Sequence, residues 1–490
     1  MKVQPQTGIE PGCGHACPAT AVDLRELIVA EVTKLAVTAY EGSLLAIVLA
    51  GSLARDEATW ARDGSRWLAL GDAEFILVFR PGTGFPHSTE MDSLRLRVES
   101  ALRQHAVTCP VTVDAVSPDY FRKLPPHIFT YELRTSGQVV WGDSHLLSLI
   151  PAFGTSEILL EDAWRLLTNR TIEQLACQGG VQPQAAAVSA DLANERSCHS
   201  SYAVPSAVAY PLAKLYLDMA TSFLVFAGAY EPTYRSRAQK LAELADRCSG
   251  GVLTAAEPIA ATALPFPLRE FAKRVSEFTR YKLGEAEWPV ESEAVGVSLG
   301  ESAREYAKLL WRWELQRLKT SSIPRTSSGE ALRPINSIPA DALGEAPIGQ
   351  LVEDLMRRQP IRDRWRGWLF VARKCGWLRS WRFWPRWWRL CRKGSPRYCI
   401  YRGAGELFSL YPSTLAGSAG SSDTNVAIGG VLHGAAGNFN DERVRAWLPV
   451  AEPIAGTRKP VTDRGSGSPR QELAAAVVWN YHEFLTGTRA

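Results

Sequence analysis

The sequence predicts an α+β fold in which a small mixed β-sheet domain is followed by α-helical domains. Short apolar runs alternate with helical patterns up to about residue 150. Apolar spacing then stays helical from 157 to 318, with almost no strand pattern. The chain has 490 residues, 46% of them hydrophobic, which is enough apolar material for more than one core.

The first domain is predicted at 22–150. We expect the preceding leader, 1–21, to be disordered because it is rich in Pro, Gly and Cys. Apolar positions at helical spacing predict a helix at 22–40. Two apolar runs that suit buried strands follow, LLAIVLA at 44–50 and FILVF at 75–79.

The rest of this domain alternates helix and strand. Helical spacing returns at 92–105, and the alternation in VTVDAVS predicts a strand at 111–117. Residues 119–136 have a helical pattern, and 137–143 a turn and a short strand. The domain is therefore predicted to contain three or four strands.

Helices are predicted to dominate the remainder, with a helical domain at 151–320. A stretch rich in Ser, Pro and Gly at 321–347 indicates a linker. A basic helical region rich in Trp and Arg follows at 348–490. The most apolar long stretch, 203–230, is interrupted by charges and prolines, so we expect a buried helix there rather than a membrane span.

Charge and cysteine content narrow the protein's class and location. The net charge of +4 is too small to indicate nucleic acid or membrane binding by itself. Nine cysteines without a regular framework favour reduced thiols. The N-terminal residues do not have the pattern of a secretory signal. We therefore expect a cytoplasmic protein, peripheral to a membrane if its basic region binds one.

Two acids stand at the start of the second predicted strand. Asp72 and Glu74 in LGDAEFILVF are two residues apart, so their side chains share one face. Like charges on one face destabilise it unless a cation lies between them. If the strand of Asp114 lies beside FILVF, three carboxylates converge, a set that can hold two Mg²⁺ ions.

A Gly-Ser turn, Gly51-Ser52, follows the first predicted strand directly. A bend at this position lets backbone amides and the Ser52 hydroxyl approach an anion such as a phosphate. Other interpretations remain open for the acids. Asp72 can be a turn residue before a strand, and Glu74 and Asp114 can be outward-facing charges in water.

These features in this order resemble the DNA-polymerase-β-like nucleotidyltransferase superfamily, of the kanamycin nucleotidyltransferase and minimal nucleotidyltransferase type. The segment FTYELRTSGQVVWGD at 129–143 and the helical stretch at 214–244 are also similar to bacterial members. The resemblance covers residues 26–320 and leaves out the C-terminal region.

The resemblance implies transfer of a nucleoside monophosphate from an NTP, expected to be ATP, to an unknown acceptor, which can be a small molecule, a protein or RNA. Gly51 and Ser52 would bind the nucleotide phosphates. Asp72, Glu74 and Asp114 would be the catalytic metal ligands, with two Mg²⁺ ions. The competing hypothesis is a catalytically degenerate relative that acts as a binding or membrane-associated scaffold.

Two departures from the family pattern concern this site. Family members commonly have a second glycine shortly after the Gly-Ser pair, whereas Asp56 and Glu57 stand there and would crowd the phosphates. The second acid of the pair is Glu74 where Asp is commoner, and Glu also coordinates Mg²⁺.

The basic region contains a segment, 361–397, with twelve Arg or Lys, seven Trp and a single acid, Asp363. Three interpretations remain open. Residues 361–393 can lie on an anionic membrane surface, with Trp at headgroup depth. The segment can bind RNA through stacking and phosphate contacts. Its Trp face can also pack on the helical domain and leave Arg outside.

Overall fold

The computed structural model describes residues 21–178, 209–250, 265–286, 293–321, 347–374, 383–409, 444–449 and 469–485. Apart from their end residues, the predicted leader at 1–21 and linker at 321–347 lie outside these ranges. By contacts between Cα atoms, the chain divides into two compact units. Among the described residues, the first unit comprises 21–125 and 132–151, and the second comprises the others.

The described residues of the first unit form seven strands, in two sheets, and five α-helices. The strands are β1 Leu44–Ala50, β2 Trp60–Asp63, β3 Arg66–Ala69, β4 Ala73–Phe79, β5 Val107–Thr108, β6 Val111–Val116 and β7 Gln138–Gly142. The helices are α1 Ala21–Ala39, α2 Gly51–Ala54, α3 Ser88–Gln104, α4 Pro118–Arg122 and α5 Ile128–Ser136, whose first residues belong to the second unit. A mixed α/β unit was predicted here, and this is confirmed.

The larger sheet has the strand order β6-β4-β1-β7, and it is mixed because only β4 and β6 run parallel. Its long strands bury alternate residues on α1 and α3: Phe75, Leu77 and Phe79 of β4 join a core with Ile28 of α1 and Val98 of α3. The intervening positions of the same strands lie on the opposite face.

The smaller sheet, β2-β3-β5, differs from the prediction, which contained no strand between 51 and 74. Its hairpin turns at Gly64, which has a φ of +59°. The predicted helix at 119–136 is wrong as one element, because it is broken into α4 and α5. Pro125 and Pro126 lie between the two helices, and proline prevents a helix from continuing.

The second unit is helical throughout its described regular structure. Its helices are α6 Leu160–Gln178, α7 Ala209–Phe226, α8 Tyr234–Ser249, α9 Leu268–Lys282, α10 Glu293–Ser321, α11 Ile348–Arg358, α12 Ile361–Lys374, α13 Trp384–Lys393, α14 Pro396–Ser409 and α15 Pro469–Leu485. Every residue from 215 to 226 is buried, so α7 is a central core helix. In the described part of the chain, no helix is long and apolar enough to cross a membrane.

Helices from the basic C-terminal region share one core with those of the predicted helical domain. Helix α11 packs on α10 and α14, and α15 packs on α14 and α6. Trp164 of α6 lies 5.4 Å from the ring of Tyr401 of α14, centroid to centroid. The tyrosine hydroxyl donates to Asn169 Oδ1 at 2.6 Å. The regions 151–320 and 348–490, which were predicted separately, therefore contribute to a single compact unit.

Candidate functional site

Strand β4 carries the predicted acid pair at its beginning. Asp72 directly precedes the strand, and Glu74 is its second residue. Phe75 and Leu77 face the helix-covered core, so Glu74 lies on the other face of the sheet. Strand β4 lies in the interior of the sheet, between β1 and β6, where the apolar side chains that follow the two acids are buried.

Thr112 on β6 is the common neighbour of the three predicted ligands. Its hydroxyl donates a hydrogen bond of 2.8 Å to Asp72 Oδ2. Its cross-strand partner on β4 is Glu74, and Asp114 is two residues further along β6 on the same face. Asp72, Glu74 and Asp114 therefore lie on one face of the sheet, with Thr112 beside Asp72 and Glu74, and Asp114 further along β6.

The three carboxylates differ in their placement around Thr112. Asp72 and Glu74 are partly buried, whereas Asp114 is exposed and pairs with Ile76. This places Asp114 about 6.6 Å further along the strands than Thr112, at about 3.3 Å per residue. Within the described ranges, no three His, Cys, Asp or Glu side chains are grouped as ligands of one metal ion.

The predicted Gly-Ser turn is the start of the short helix α2, and its first residue, Gly51, lies against the acid on β4. Its φ of +71° lies in the left-handed region that favours glycine. A Cβ atom at this position would lie 3.1 Å from both Cδ and Oε1 of Glu74. The backbone of the predicted phosphate-binding turn therefore touches the carboxylate of a predicted metal ligand, and a side chain at residue 51 would separate them.

Ser52 and Asp72 line the same narrow cleft, together with Gly71 and residues of the β2–β3 hairpin such as Trp60. The cleft has a volume of about 10 Å³, roughly what one water molecule needs. Cys109 also lines it. Burial, together with the charge of Asp72, raises the pKa of the Cys109 thiol to about 12. The thiol therefore stays protonated and adds no second negative charge.

Asp56 and Glu57, the two acids that follow the Gly51-Ser52 pair, are both paired with arginines. Asp56 is exposed, and its Oδ1 lies 3.4 Å from Arg25 Nε. Glu57 is buried and lies 3.0 Å from Arg55 Nε, and Arg55 also contacts Glu132 at 2.6 Å. Because a positive charge lies within 4 Å of each acid, the arginines offset the repulsion that these acids would exert on a phosphate.

A Gly51→Ala substitution is expected to destabilise the first unit and to reduce any ligand binding at the turn. The left-handed backbone costs an L-residue about 1–2 kcal/mol, and the new methyl group would press on Glu74. Gly64→Ala is a matched control, because Gly64 has a similar φ of +59° but no atom within 4 Å of its added Cβ. Urea unfolding of both variants measures the difference, and equal losses would show that the contact with Glu74 has no energetic role.

Comparison with known protein families and curated sequences identified no relative of this chain. No protein-family model matches the chain, and no curated protein matches it in sequence. The nucleotidyltransferase resemblance of residues 26–320 therefore stays a prediction.

Proposed function

We propose that the chain is a metal-dependent nucleotidyltransferase that moves a nucleoside monophosphate from an NTP, ATP first, to an acceptor hydroxyl or phosphate. The observation that carries the proposal is the arrangement around Thr112, in which Asp72, Glu74 and Asp114 share one sheet face. The Gly51 turn lies against the same face. An acid cluster alone has many uses, but acids beside a tight turn after a buried strand suit a polyphosphate.

The residues around Thr112 fit Mg²⁺ in their chemistry. Carboxylate oxygens are the hard donors that Mg²⁺ takes from proteins, and one or two of them are enough when phosphates supply the rest. We assign Asp72 and Glu74 as the principal ligands and Asp114 as the third. The ion would supply neutralisation of phosphate charge.

The protein's own groups position the substrate. Thr112 fixes the orientation of the Asp72 carboxylate through its hydroxyl. Gly51 would allow the backbone to approach the phosphates, and the Ser52 hydroxyl would donate to a phosphate oxygen. Asp114 is the most exposed of the three acids, so an acceptor reaches it from solvent. Catalysis of this kind is mostly positioning and charge stabilisation.

Nucleotide-dependent thermal stabilisation tests the proposal. The melting temperature of the first unit should rise when Mg²⁺ and a non-hydrolysable ATP analogue are added together, because a ligand that binds only the folded state stabilises it. Either component alone should have a much smaller effect. No rise with the two together, at millimolar concentrations of both, would favour the degenerate scaffold over the enzyme.

A further inference from the structure

Some side chains of helices α12 and α13 point towards the helical core, and we call these the inward set; the side chains exposed to solvent are the outward set. Residues of the inward set make hydrogen bonds that fix the two helices in place. The buried guanidinium of Arg364 donates to four backbone carbonyls near the ends of α11 and α13, among them Met356 O at 2.9 Å and Arg392 O at 2.8 Å. The indole of Trp368 donates to Gly394 O at 3.0 Å. These residues hold the two helices on the helical core.

The inward set also includes residues of α13. Trp387 donates through its indole nitrogen to Pro449 O at 3.1 Å, and Arg386 donates to Leu448 O at 2.9 Å. Pro385 lies in the first turn of α13, where a proline needs no backbone donor, so α12 and α13 are separate helices. Packing on the helical core therefore accounts for part of the Trp and Arg content of the segment, but not for all of it.

The outward set begins with apolar side chains. Ile361 is 70% exposed, Leu369 40%, Phe370 44% and Trp388 46%. These are four of the seven large hydrophobic residues that are exposed in the described part of the chain, although they come from two neighbouring short helices. The ring of Trp388 packs on Trp365 of α12, with centroids 5.2 Å apart, and Leu369 lines the same small pocket, so apolar side chains of the two helices meet there.

Exposed basic residues accompany these apolar side chains on the same two helices. The exposed ones on the two helices are Arg362, Arg366, Arg373, Arg389, Arg392 and Lys393. A single acid, Asp363, accompanies them on the two helices. Exposed apolar side chains together with many positive and few negative charges are typical of surfaces that lie in the headgroup region of an anionic bilayer.

We propose that this outward surface of α12 and α13 docks on an anionic lipid bilayer, with Ile361, Leu369, Phe370 and Trp388 inserted at headgroup depth and the arginines on lipid phosphates. The charge complementarity identifies the occupant, because six exposed cations oppose one acid. An RNA surface fits less well. Aliphatic Ile361 and Leu369 offer no ring for base stacking, and the Trp388 ring already contacts Trp365 and the Arg392 guanidinium, 5.4 Å from its centroid.

Vesicle co-sedimentation of the full chain tests the docking surface independently of the nucleotide site. The protein should sediment with phosphatidylcholine vesicles that contain 30% phosphatidylserine and remain in solution with pure phosphatidylcholine. Because exposed charges are screened by salt, binding should fall at least tenfold between 0.05 and 0.5 M NaCl. Equal sedimentation with both vesicle types, or with neither, would overturn the proposal.

Two variants separate docking from folding. Arg366→Glu/Arg389→Glu reverses two outward charges, and Ile361→Ser/Leu369→Ser removes two apolar contacts. Each should reduce vesicle affinity at least tenfold without changing the melting temperature. Arg103→Glu/Arg122→Glu, in the first unit, is the charge-matched control and should bind as the wild type does. Unchanged binding of both outward variants would contradict the proposal.

Single-stranded RNA provides the competing outcome. We expect a uridine homopolymer to bind less tightly than anionic vesicles and to leave vesicle binding unchanged at equal phosphate concentration. If the homopolymer binds more tightly, and the Arg366→Glu/Arg389→Glu variant loses that binding, the surface is a nucleic-acid interface and the membrane proposal is wrong.

Discussion

An Asp72→Asn variant is expected to lose Mg²⁺-dependent NTP use by more than roughly 100-fold, because removing a group that only orients a metal ligand already costs about 10–100-fold. Asparagine keeps an acceptor for the Thr112 hydroxyl, which now bonds Asp72 Oδ2 at 2.8 Å, so the fold should be unaffected. Without metal, the melting temperature should equal or exceed that of the wild type, because one of three mutually repelling charges is gone.

The measurement is NTP consumption together with the shift in melting temperature on adding Mg²⁺ and an ATP analogue. Asp92→Ala is the control, because Asp92 is an exposed acid on α3, the helix that covers the opposite face of the larger sheet. It should behave as the wild type in both assays. Full activity of Asp72→Asn would show that this carboxylate is not a ligand.

A Glu314→Gln variant is expected to change how stability depends on pH. Glu314, on α10, is fully buried in the helical unit. It accepts a hydrogen bond from Ser222 at 2.6 Å, and its other oxygen, Oε2, has no hydrogen-bond partner among the described residues. Burial, only partly opposed by the Ser222 hydrogen bond, raises the pKa of the carboxyl to about 8 from an ordinary 4.5.

The sign of the effect follows from proton binding. Between pH 4.5 and about 8 the folded state holds a proton on Glu314 that the unfolded state has lost. The free energy of unfolding should therefore fall as pH rises over this range, by up to about 1.4 kcal/mol per pH unit. The contribution of the protonated carboxyl is complete below the unfolded pKa and is lost as pH rises through the folded pKa.

Urea unfolding at pH 5, 6.5 and 8 measures this dependence. The wild type should lose stability relative to Glu314→Gln as pH rises. Subtracting the two free energies of unfolding at each pH cancels the contributions of other titrating groups, such as His482, whose pKa is lowered by burial. Glu301→Gln, an exposed position on the same helix, should show no such difference. Parallel pH profiles of Glu314→Gln and the wild type would mean that Glu314 is ionised in the folded core.

Local patterns were sufficient to predict the larger elements of the first unit, and they selected the residues of the candidate site. LLAIVLA became β1 over its full predicted length, because an apolar run of only seven residues that is followed by glycine suits a buried strand better than a helix. The β2–β3 hairpin was not predicted, although Asp63-Gly64 is a recognised turn signal. Its strands are four residues each, which is too short for periodicity to separate them from a loop.

Contacts between distant residues could not be predicted from the sequence. Thr112 was not identified as part of the site, because its role depends on the parallel register between β4 and β6. A polar threonine two residues before Asp114, and so on the same face of the strand, is the local feature that could have identified Thr112. The pairing of Arg55 with both Glu57 and Glu132 also joins residues that are far apart in the chain, and it changes the expected effect of Glu57 on a phosphate.

Labelled ATP tests the central claim most directly. The full chain is incubated with Mg²⁺, a panel of hydroxyl acceptors, and ATP labelled at either the α- or the γ-phosphate. Transfer of a nucleoside monophosphate predicts α-label in the acceptor and γ-label in pyrophosphate, both lost in Asp72→Asn. Transfer of the γ-label to an acceptor would contradict the account. So would release of the γ-label as free phosphate by both the wild type and Asp72→Asn.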